Sequence, residues 1–152
     1  MRKFVHKLWH RLTRGCWKPW KVFTVLRISS GAYTEYATAP TVFTAKLPAG
    51  LSFEDGAALG VPYFTAYRAL VSVGGGKKGD KVLIHGASGG VGVACMQIAK
   101  FLGMDVYGTA STEAGLSLIK DHNCHPFNHR EEGPIRSTGI HVNGVFTYMI
   151  YQ

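Results

Sequence analysis

The stretch of residues 81–103, KVLIHGASGGVGVACMQIAKFLG, determines the fold predicted for this chain. It opens with Val82, Leu83 and Ile84, a short apolar run that is typical of a strand buried on both faces. A glycine-rich turn follows, and apolar residues then recur at helical spacing up to Gly103, which stands where a glycine commonly ends a helix. The sequence therefore predicts a strand, a glycine turn and a helix, the opening unit of a dinucleotide-binding fold.

The glycine turn has the pattern Ala87-x-Gly89-x-x-Gly92, with alanine in place of the first glycine of the usual fingerprint. Glycines allow the backbone to turn sharply and to approach a pyrophosphate, to which the helix N-terminus offers unpaired N–H groups. Such a turn can also be purely structural. A second strand is predicted at the expected distance, over residues 105–110 (DVYGTA), and this context favours a cofactor-binding turn.

The positive charge of the chain is concentrated at its front. The net charge is +8, and residues 1–30 carry eight Lys and Arg with no Asp or Glu, while the remaining residues carry nine of each sign. A neutral body argues against a large basic groove for nucleic acid in the folded part. Residues 1–20 form a basic segment, amphipathic or disordered, with three interpretations: an organellar presequence, an RNA- or membrane-surface segment, or a poorly ordered tail.

The cysteines and the hydropathy bear on the location of the protein. Three cysteines, far apart in the sequence, have neither the spacing of a zinc site nor the even number of a disulfide framework, so no metal is predicted. We expect a reduced, intracellular setting, and the basic segment leaves a mitochondrial location open as an alternative. The sequence contains no apolar run of about 18 residues, and no membrane span is predicted.

The segment before the glycine turn divides into two parts. Residues 21–50 have β character, including a short strand expected over residues 41–47. Residues 51–79 are predicted as connecting helices, the first starting at Ser52 with Asp55 placed for a capping box. Pro62 is expected to break or kink that helix and to separate it from a second helix over residues 63–73.

The residues after the second predicted strand bear on the choice of cofactor. A protein selective for NAD usually ends this strand with an acidic residue, which binds the ribose 2′-hydroxyl, whereas here Ser111 and Thr112 follow the strand. This favours NADPH. A short helix over residues 112–120 comes next, with Gly115 as its weak point. A third strand is expected to start at residues 126–128, and His129 follows it where it can contact the adenine or a phosphate.

Residues 21–130 closely resemble quinone oxidoreductases of the zeta-crystallin branch of the medium-chain dehydrogenase/reductase superfamily. The matching motifs are KVFT, ISSGAYTEYA, KLPAGLSFEDGAALGVPYFTAYRAL, GDKVLIHGASGGVGVACMQIAK, GTASTEAG and FNHRE. The resemblance implies a GroES-like domain followed by a Rossmann domain, and zinc-independent reduction of quinones with NADPH. It also implies a cytosolic homo-oligomer and an association with RNA. By motif, Ser88, Gly89, Gly90 and Val91 would hold the pyrophosphate, Ser111 would lie at the adenosine ribose and 2′-phosphate, and His129 would contact the cofactor near them.

The chain also departs from this family. The expected fold is α/β, an incomplete Rossmann domain (the first βαβαβ half, with a parallel sheet) over residues 80–130, preceded by β remnants of a GroES-like domain over residues 21–50. Residues 131–152 are expected to be a divergent tail, which leaves the second Rossmann half and its dimerisation edge missing. We therefore expect a truncated NADPH-dependent quinone oxidoreductase with impaired activity. The alternative is a non-catalytic fragment that binds NADPH or RNA, and no catalytic acid, base or nucleophile is predicted.

Overall fold

The computed structural model describes residues 21–25 and 39–130, together with the backbone of residues 144–147. The basic segment 1–20 and most of the expected tail lie outside the described residues. The chain forms two compact units, Met1–Val61 and Pro62–Gln152, whose boundary falls inside a helix.

The first unit contains a small antiparallel sheet and the start of a helix. Strand β1 (Val22–Thr24) pairs with β2 (Thr44–Lys46), which is shorter than expected because residues 41–43 form a 3₁₀ turn. Helix α1 (Phe53–Tyr67) begins with the predicted capping box, in which the Asp55 N–H donates to Ser52 Oγ at 3.0 Å and the Ser52 N–H donates to Asp55 Oδ2 at 2.9 Å. Hydrogen bonds from the Ser52 hydroxyl and N–H lower the pKa of the Asp55 carboxyl.

The expected helix break at Pro62 is wrong. Helix α1 continues through Pro62 to Tyr67 and is followed directly by a π-helical segment, Arg68–Val73. A proline in a helix removes one backbone hydrogen bond, but Ala66 and Leu70 beyond it are fully buried in the core of the second unit. Burial of an aliphatic side chain such as Leu70 contributes about 2 kcal/mol, which offsets much of the cost of the proline.

The second unit is built on a parallel sheet with connecting helices. In chain order its elements are β3 (Lys81–His85), α2 (Gly90–Phe101), β4 (Asp105–Ala110), α3 (Glu113–Asp121), β5 (His125–Asn128) and β6 (Gly144–Thr147). Every strand pair is parallel, and the order across the sheet is β5-β4-β3-β6. This is the order of the first four strands of a Rossmann sheet, and it confirms the predicted α/β class with a parallel sheet.

Strand β6 corrects one expectation about the tail. Residues 131–152 were expected to depart from the fold, yet Gly144–Thr147 extends the sheet beside β3, in a register that places Val82 opposite Gly144 and His85 opposite Thr147. The sequence GVFT has high β propensity, and β3 without this partner would present an unpaired edge. At the opposite edge, β5 contains Pro126.

The core of the second unit depends on close approach between its elements. It joins β3, β4, α2 and α3 through buried apolar residues that include Val82, Ile84, Met96, Val106 and Ile119. A Cβ on Gly108 of β4 would lie 2.8 Å from the Ala87 Cβ and 3.2 Å from Ile119 Cγ2, so this position admits no side chain without displacement. Gly103, with φ +76°, follows the last residues of α2, as predicted for a C′ glycine.

Candidate functional site

The predicted site residues lie at the carboxyl ends of the strands, along one edge of the parallel sheet. The glycine turn leaves the carboxyl end of β3, Ser111 follows β4, and His129 follows β5. The His129 N–H donates to the Ala110 carbonyl at 3.2 Å, which holds the ends of β4 and β5 together. Because ligands of open α/β sheets bind outside the carboxyl ends of the strands, this edge is the candidate functional site.

The turn between β3 and α2 is closely packed against its own backbone. Gly86 has φ +67°, and its carbonyl accepts a hydrogen bond from the Gly89 N–H at 3.0 Å. A Cβ on Gly92 would lie 2.4 Å from the Gly86 carbonyl oxygen and 2.6 Å from the Ala87 Cα, closer than real side chains approach backbone. Only glycine therefore fits at position 92, and the first turn of α2 lies directly against the glycine turn.

The N-terminus of α2 offers free backbone donors. Its N-cap is Gly89, which makes no side-chain cap. The N–H groups of Gly90, Val91 and Gly92, in the first turn of the helix, have no intrahelical acceptor. These groups and the positive end of the helix dipole favour an anion such as a phosphate, and the exposed Ser88 adds a hydroxyl beside them.

A second part of the site lies where β4 leads into α3. Thr112 caps α3, and its Oγ1 accepts the Gly115 N–H at 3.1 Å. A Cβ on Gly115 would lie 2.9 Å from the Ala110 Cβ and 3.0 Å from Ser88 Oγ. Gly115, interpreted from the sequence as a weak point of the helix, also has a packing role, because its missing side chain lets α3 approach both β4 and the glycine turn.

Charged side chains of both signs lie around this second part of the site. Ser111 and Thr112 directly follow β4. The next residue, Glu113, is acidic and exposed in the first turn of α3. Arg130 is also exposed, and its N–H donates to Asn128 Oδ1 at 3.0 Å in the turn after β5. Sequence reasoning missed Arg130, although its place beside His129 at the end of the third strand was the signal for it.

In the second unit, two titratable groups with displaced pKa values, Asp105 and Tyr107, form a pair at the amino end of β4. Asp105 opens β4 and accepts hydrogen bonds from the Tyr107 hydroxyl at 2.8 Å, and His125 Nε2 lies 3.1 Å from its other oxygen. The Tyr107 hydrogen bond and, to a lesser degree, the His125 charge lower the pKa of Asp105, while the same hydrogen bond raises the pKa of Tyr107. Burial raises the pKa of the Cys95 thiol to about 11, so this group stays protonated at neutral pH.

Comparison with known sequences finds relatives among quinone oxidoreductases and polyketide synthases. It is 53% identical over 112 residues to a quinone oxidoreductase of Pongo abelii and 52% identical over 112 residues to one of Homo sapiens. In each case the match covers 73% of this chain and 34% of the relative, so the chain spans about a third of the length of these relatives. A highly reducing polyketide synthase of Didymella fabae is 36% identical over 121 residues, which cover 75% of this chain and 6% of the synthase. No family model matches the chain.

Solved structures agree with the sequence matches. The apo JamJ enoyl reductase superposes with a TM-score of 0.75 at 26% identity and covers 93% of this chain and 44% of its own. A quinone oxidoreductase of Pseudomonas syringae gives a TM-score of 0.64 at 31% identity, over 70% of this chain and 33% of its own. A mycobacterial protein solved in complex with NADPH gives 0.63 at 35% identity, over 70% of this chain and 35% of its own. Among the described residues, no helix combines the length and the hydropathy needed to cross a bilayer.

Proposed function

We propose that this chain, which is similar to quinone oxidoreductases of the medium-chain dehydrogenase/reductase superfamily, binds NADPH and serves hydride transfer to a quinone. The observation that carries the proposal is the junction of the glycine turn with α2. Its first-turn N–H groups have no side-chain cap, and Gly92 lies directly against the Gly86 carbonyl. The backbone there is free to contact a pyrophosphate at close range, and the donor set fits that group.

The adenosine end of the site supports NADPH rather than NADH. Its 2′-phosphate would lie near Ser111, where β4 ends without a carboxylate to repel it. His129 and Arg130 follow the neighbouring strand, and the hydrogen bond from His129 to Ala110 keeps that strand end beside β4. An arginine at this edge can pair with a phosphate in a bidentate manner. Ser88, Gly89, Gly90 and Val91 are the residues proposed for the pyrophosphate.

The protein residues act by binding and orientation. Bound NADPH would supply the hydride, and the chain needs no acid or base of its own to hold the cofactor in place. The described strands β3, β4 and β5 provide the part of a Rossmann sheet that contacts adenosine and pyrophosphate. We therefore propose that the 152-residue chain binds NADPH but reduces a quinone more slowly than its longer relatives do.

Calorimetry on the purified chain tests cofactor binding. We expect saturable binding of NADPH, weaker binding of NADH, and loss of both in Ser88→Asp or Gly89→Asp, which place a carboxylate where the phosphates bind. Ser117→Asp, at an exposed position on α3, is the matched control for the added charge and should bind NADPH normally. Absence of NADPH binding by the unchanged chain would refute the proposed function.

A quinone assay then tests turnover. With NADPH and 9,10-phenanthrenequinone we expect cofactor oxidation that is slow compared with a full-length quinone oxidoreductase measured in parallel. Equal rates would refute impaired activity while leaving the proposed cofactor site intact. Turnover of an enoyl thioester in preference to the quinone would instead favour the enoyl reductases among the structural relatives.

The uneven charge of the chain favours a second candidate function, RNA binding. Residues 1–30 carry eight cations and no acidic residue. Deletion of residues 1–20 should abolish a salt-dependent affinity for single-stranded RNA, and unchanged affinity would refute this role.

We also propose a cytoplasmic location, which mitochondrial import of a tagged chain would overturn. The missing dimerisation edge remains a prediction, for which sedimentation of the purified chain gives the test.

A further inference from the structure

Thr109 is a buried polar residue on the strand beside the glycine turn, and it makes three contacts to that turn. It lies in β4 and is 1% exposed. Its Oγ1 accepts the Gly86 N–H at 3.2 Å and lies 3.2 Å from His85 Nδ1, while its backbone carbonyl accepts the Ala87 N–H at 2.9 Å. One residue of β4 thus holds three consecutive residues where β3 ends and the turn begins.

These contacts act on the part of the turn that has the least freedom. Gly86 adopts φ +67°, and its carbonyl is the oxygen that receives the Gly89 N–H and faces Gly92. A small rotation of the Gly86 peptide would therefore push its carbonyl into the first turn of α2 or break the bond to Gly89. The Gly86 N–H is part of the peptide group between His85 and Gly86, which directly precedes the group that carries the Gly86 carbonyl. The hydrogen bond to Thr109 Oγ1 fixes the direction of this N–H.

We propose that Thr109 is a positioning residue for the cofactor: from β4 it holds the glycine turn in the shape that presents the α2 N–H groups to the pyrophosphate. This inference rests on the proposed NADPH site and adds a residue to it that touches no cofactor. A threonine suits the task because its hydroxyl accepts the Gly86 N–H and can take either role in a hydrogen bond with His85 Nδ1, while its methyl group fills buried space.

The test compares two ligands on matched variants. NADPH contains the pyrophosphate, whereas adenosine 2′-monophosphate carries only the adenosine and the 2′-phosphate. Thr109→Val keeps the shape of the side chain and removes the hydroxyl, and Thr109→Ser keeps the hydroxyl. Thr44→Val removes a threonine hydroxyl that donates to Pro40 in the first unit, and it controls for the loss of a threonine hydrogen bond outside the second unit.

We expect Thr109→Val to weaken NADPH binding about tenfold, equivalent to about 1.4 kcal/mol, with the affinity for adenosine 2′-monophosphate unchanged. Thr109→Ser should recover most of the NADPH affinity, and Thr44→Val should bind both ligands as the unchanged chain does. Equal loss for both ligands would show a merely structural role and would overturn the inference, as would unchanged NADPH binding. If Thr109→Val does not fold, Thr109→Cys takes its place, because a thiol is a weak hydrogen-bond partner of similar size.

Amide hydrogen exchange without any ligand separates this inference from the proposed function. In Thr109→Val the Gly86 and Gly89 amides should exchange faster than in the unchanged chain, while amides in the middle of α2 keep their rates. If the unchanged chain binds neither ligand, the NADPH site fails and the positioning role falls with it, although faster exchange would still show that Thr109 holds the turn. If NADPH binds and exchange at Gly86 is unaffected by the variant, the inference alone fails.

Discussion

Polar groups lie both at the carboxyl ends of the parallel strands, here called the carboxyl edge, and at their amino ends, here called the amino edge. The two sets of polar groups differ in kind. At the carboxyl edge the donors are backbone N–H groups at the start of α2, and glycines bring the chain segments together. At the amino edge the polar groups are side chains that pair with one another, since Asp105 accepts from the Tyr107 hydroxyl and lies beside His125. The rings of Tyr107 and His125 also stack, with centroids 4.8 Å apart.

The difference shows where binding capacity remains in this part of the fold. The side chains of the amino-edge cluster satisfy one another, so a ligand there would have to displace existing hydrogen bonds. The first-turn N–H groups of α2 have no acceptor within the helix, so an anion gains their hydrogen bonds without displacing a side-chain cap. Changes at the carboxyl edge should therefore alter cofactor binding, and changes at the amino edge should not.

The largest expected effect is that of Gly92→Ala. Its Cβ would lie within 2.6 Å of backbone atoms of Gly86 and Ala87, which cannot move without distorting the turn. We expect a loss of about 3 kcal/mol in the free energy of unfolding and no measurable NADPH binding. Chemical denaturation and calorimetry provide the two measurements.

Gly90→Ala is the matched control for that variant, because a Cβ there meets nothing within 4 Å. Its free energy of unfolding should stay equal or rise by up to about 1 kcal/mol, since alanine favours a helix. If both variants lost the same stability, close packing of the turn would not be what distinguishes the carboxyl edge.

A smaller effect is expected for Gly115→Ala, which tests the contact between α3 and the glycine turn. The added Cβ would meet side-chain atoms, the Ala110 Cβ at 2.9 Å and Ser88 Oγ at 3.0 Å, and the hydroxyl can rotate away. Crowding of about 2 kcal/mol is partly offset by the helix propensity of alanine, about 1 kcal/mol, which leaves a modest net destabilisation. NADPH binding should weaken because Ser88 is displaced. A more stable variant with unchanged affinity would instead support the view that Gly115 weakens the helix.

The smallest effect is expected at the amino edge, for Asp105→Asn. The carboxylate is about 39% exposed, so solvent screening limits its contribution to less than about 1 kcal/mol. Its lowered pKa means that the unfolded chain binds a proton before the folded chain does, so this stability is present at neutral pH and is lost as pH falls below about 4. The variant should lack that acid-dependent loss and bind NADPH normally. An altered NADPH affinity would show that the two edges are coupled.

Much of the second unit could be predicted because its signals are local. Strand β4 has the bounds that the sequence indicated, and the ends of α2 and α3 agree within about two residues, since glycine punctuation and apolar periodicity lie within each element. The position of the glycine turn between β3 and α2 followed from the same local pattern. The assignment of individual site residues remains a prediction.

The features that sequence reasoning missed depend on contacts between distant segments. The continuation of α1 through Pro62 relies on burial of Ala66 and Leu70, which only the assembled core provides. Strand β6 is separated from its partner β3 by about sixty residues, a pairing that propensity alone does not specify. The role of Thr109 likewise arises from a neighbouring strand rather than from the glycine motif itself.

Pro126 in the edge strand β5 has a consequence for how the sheet can grow. A proline has no N–H, so β5 has one backbone donor fewer than a strand without proline, and such residues discourage edge-to-edge addition. Strand β6, at the opposite edge, has no proline among its four residues. Among the described strands, β5 is therefore the less favourable edge for the addition of a further strand, whether from the same polypeptide or from another molecule.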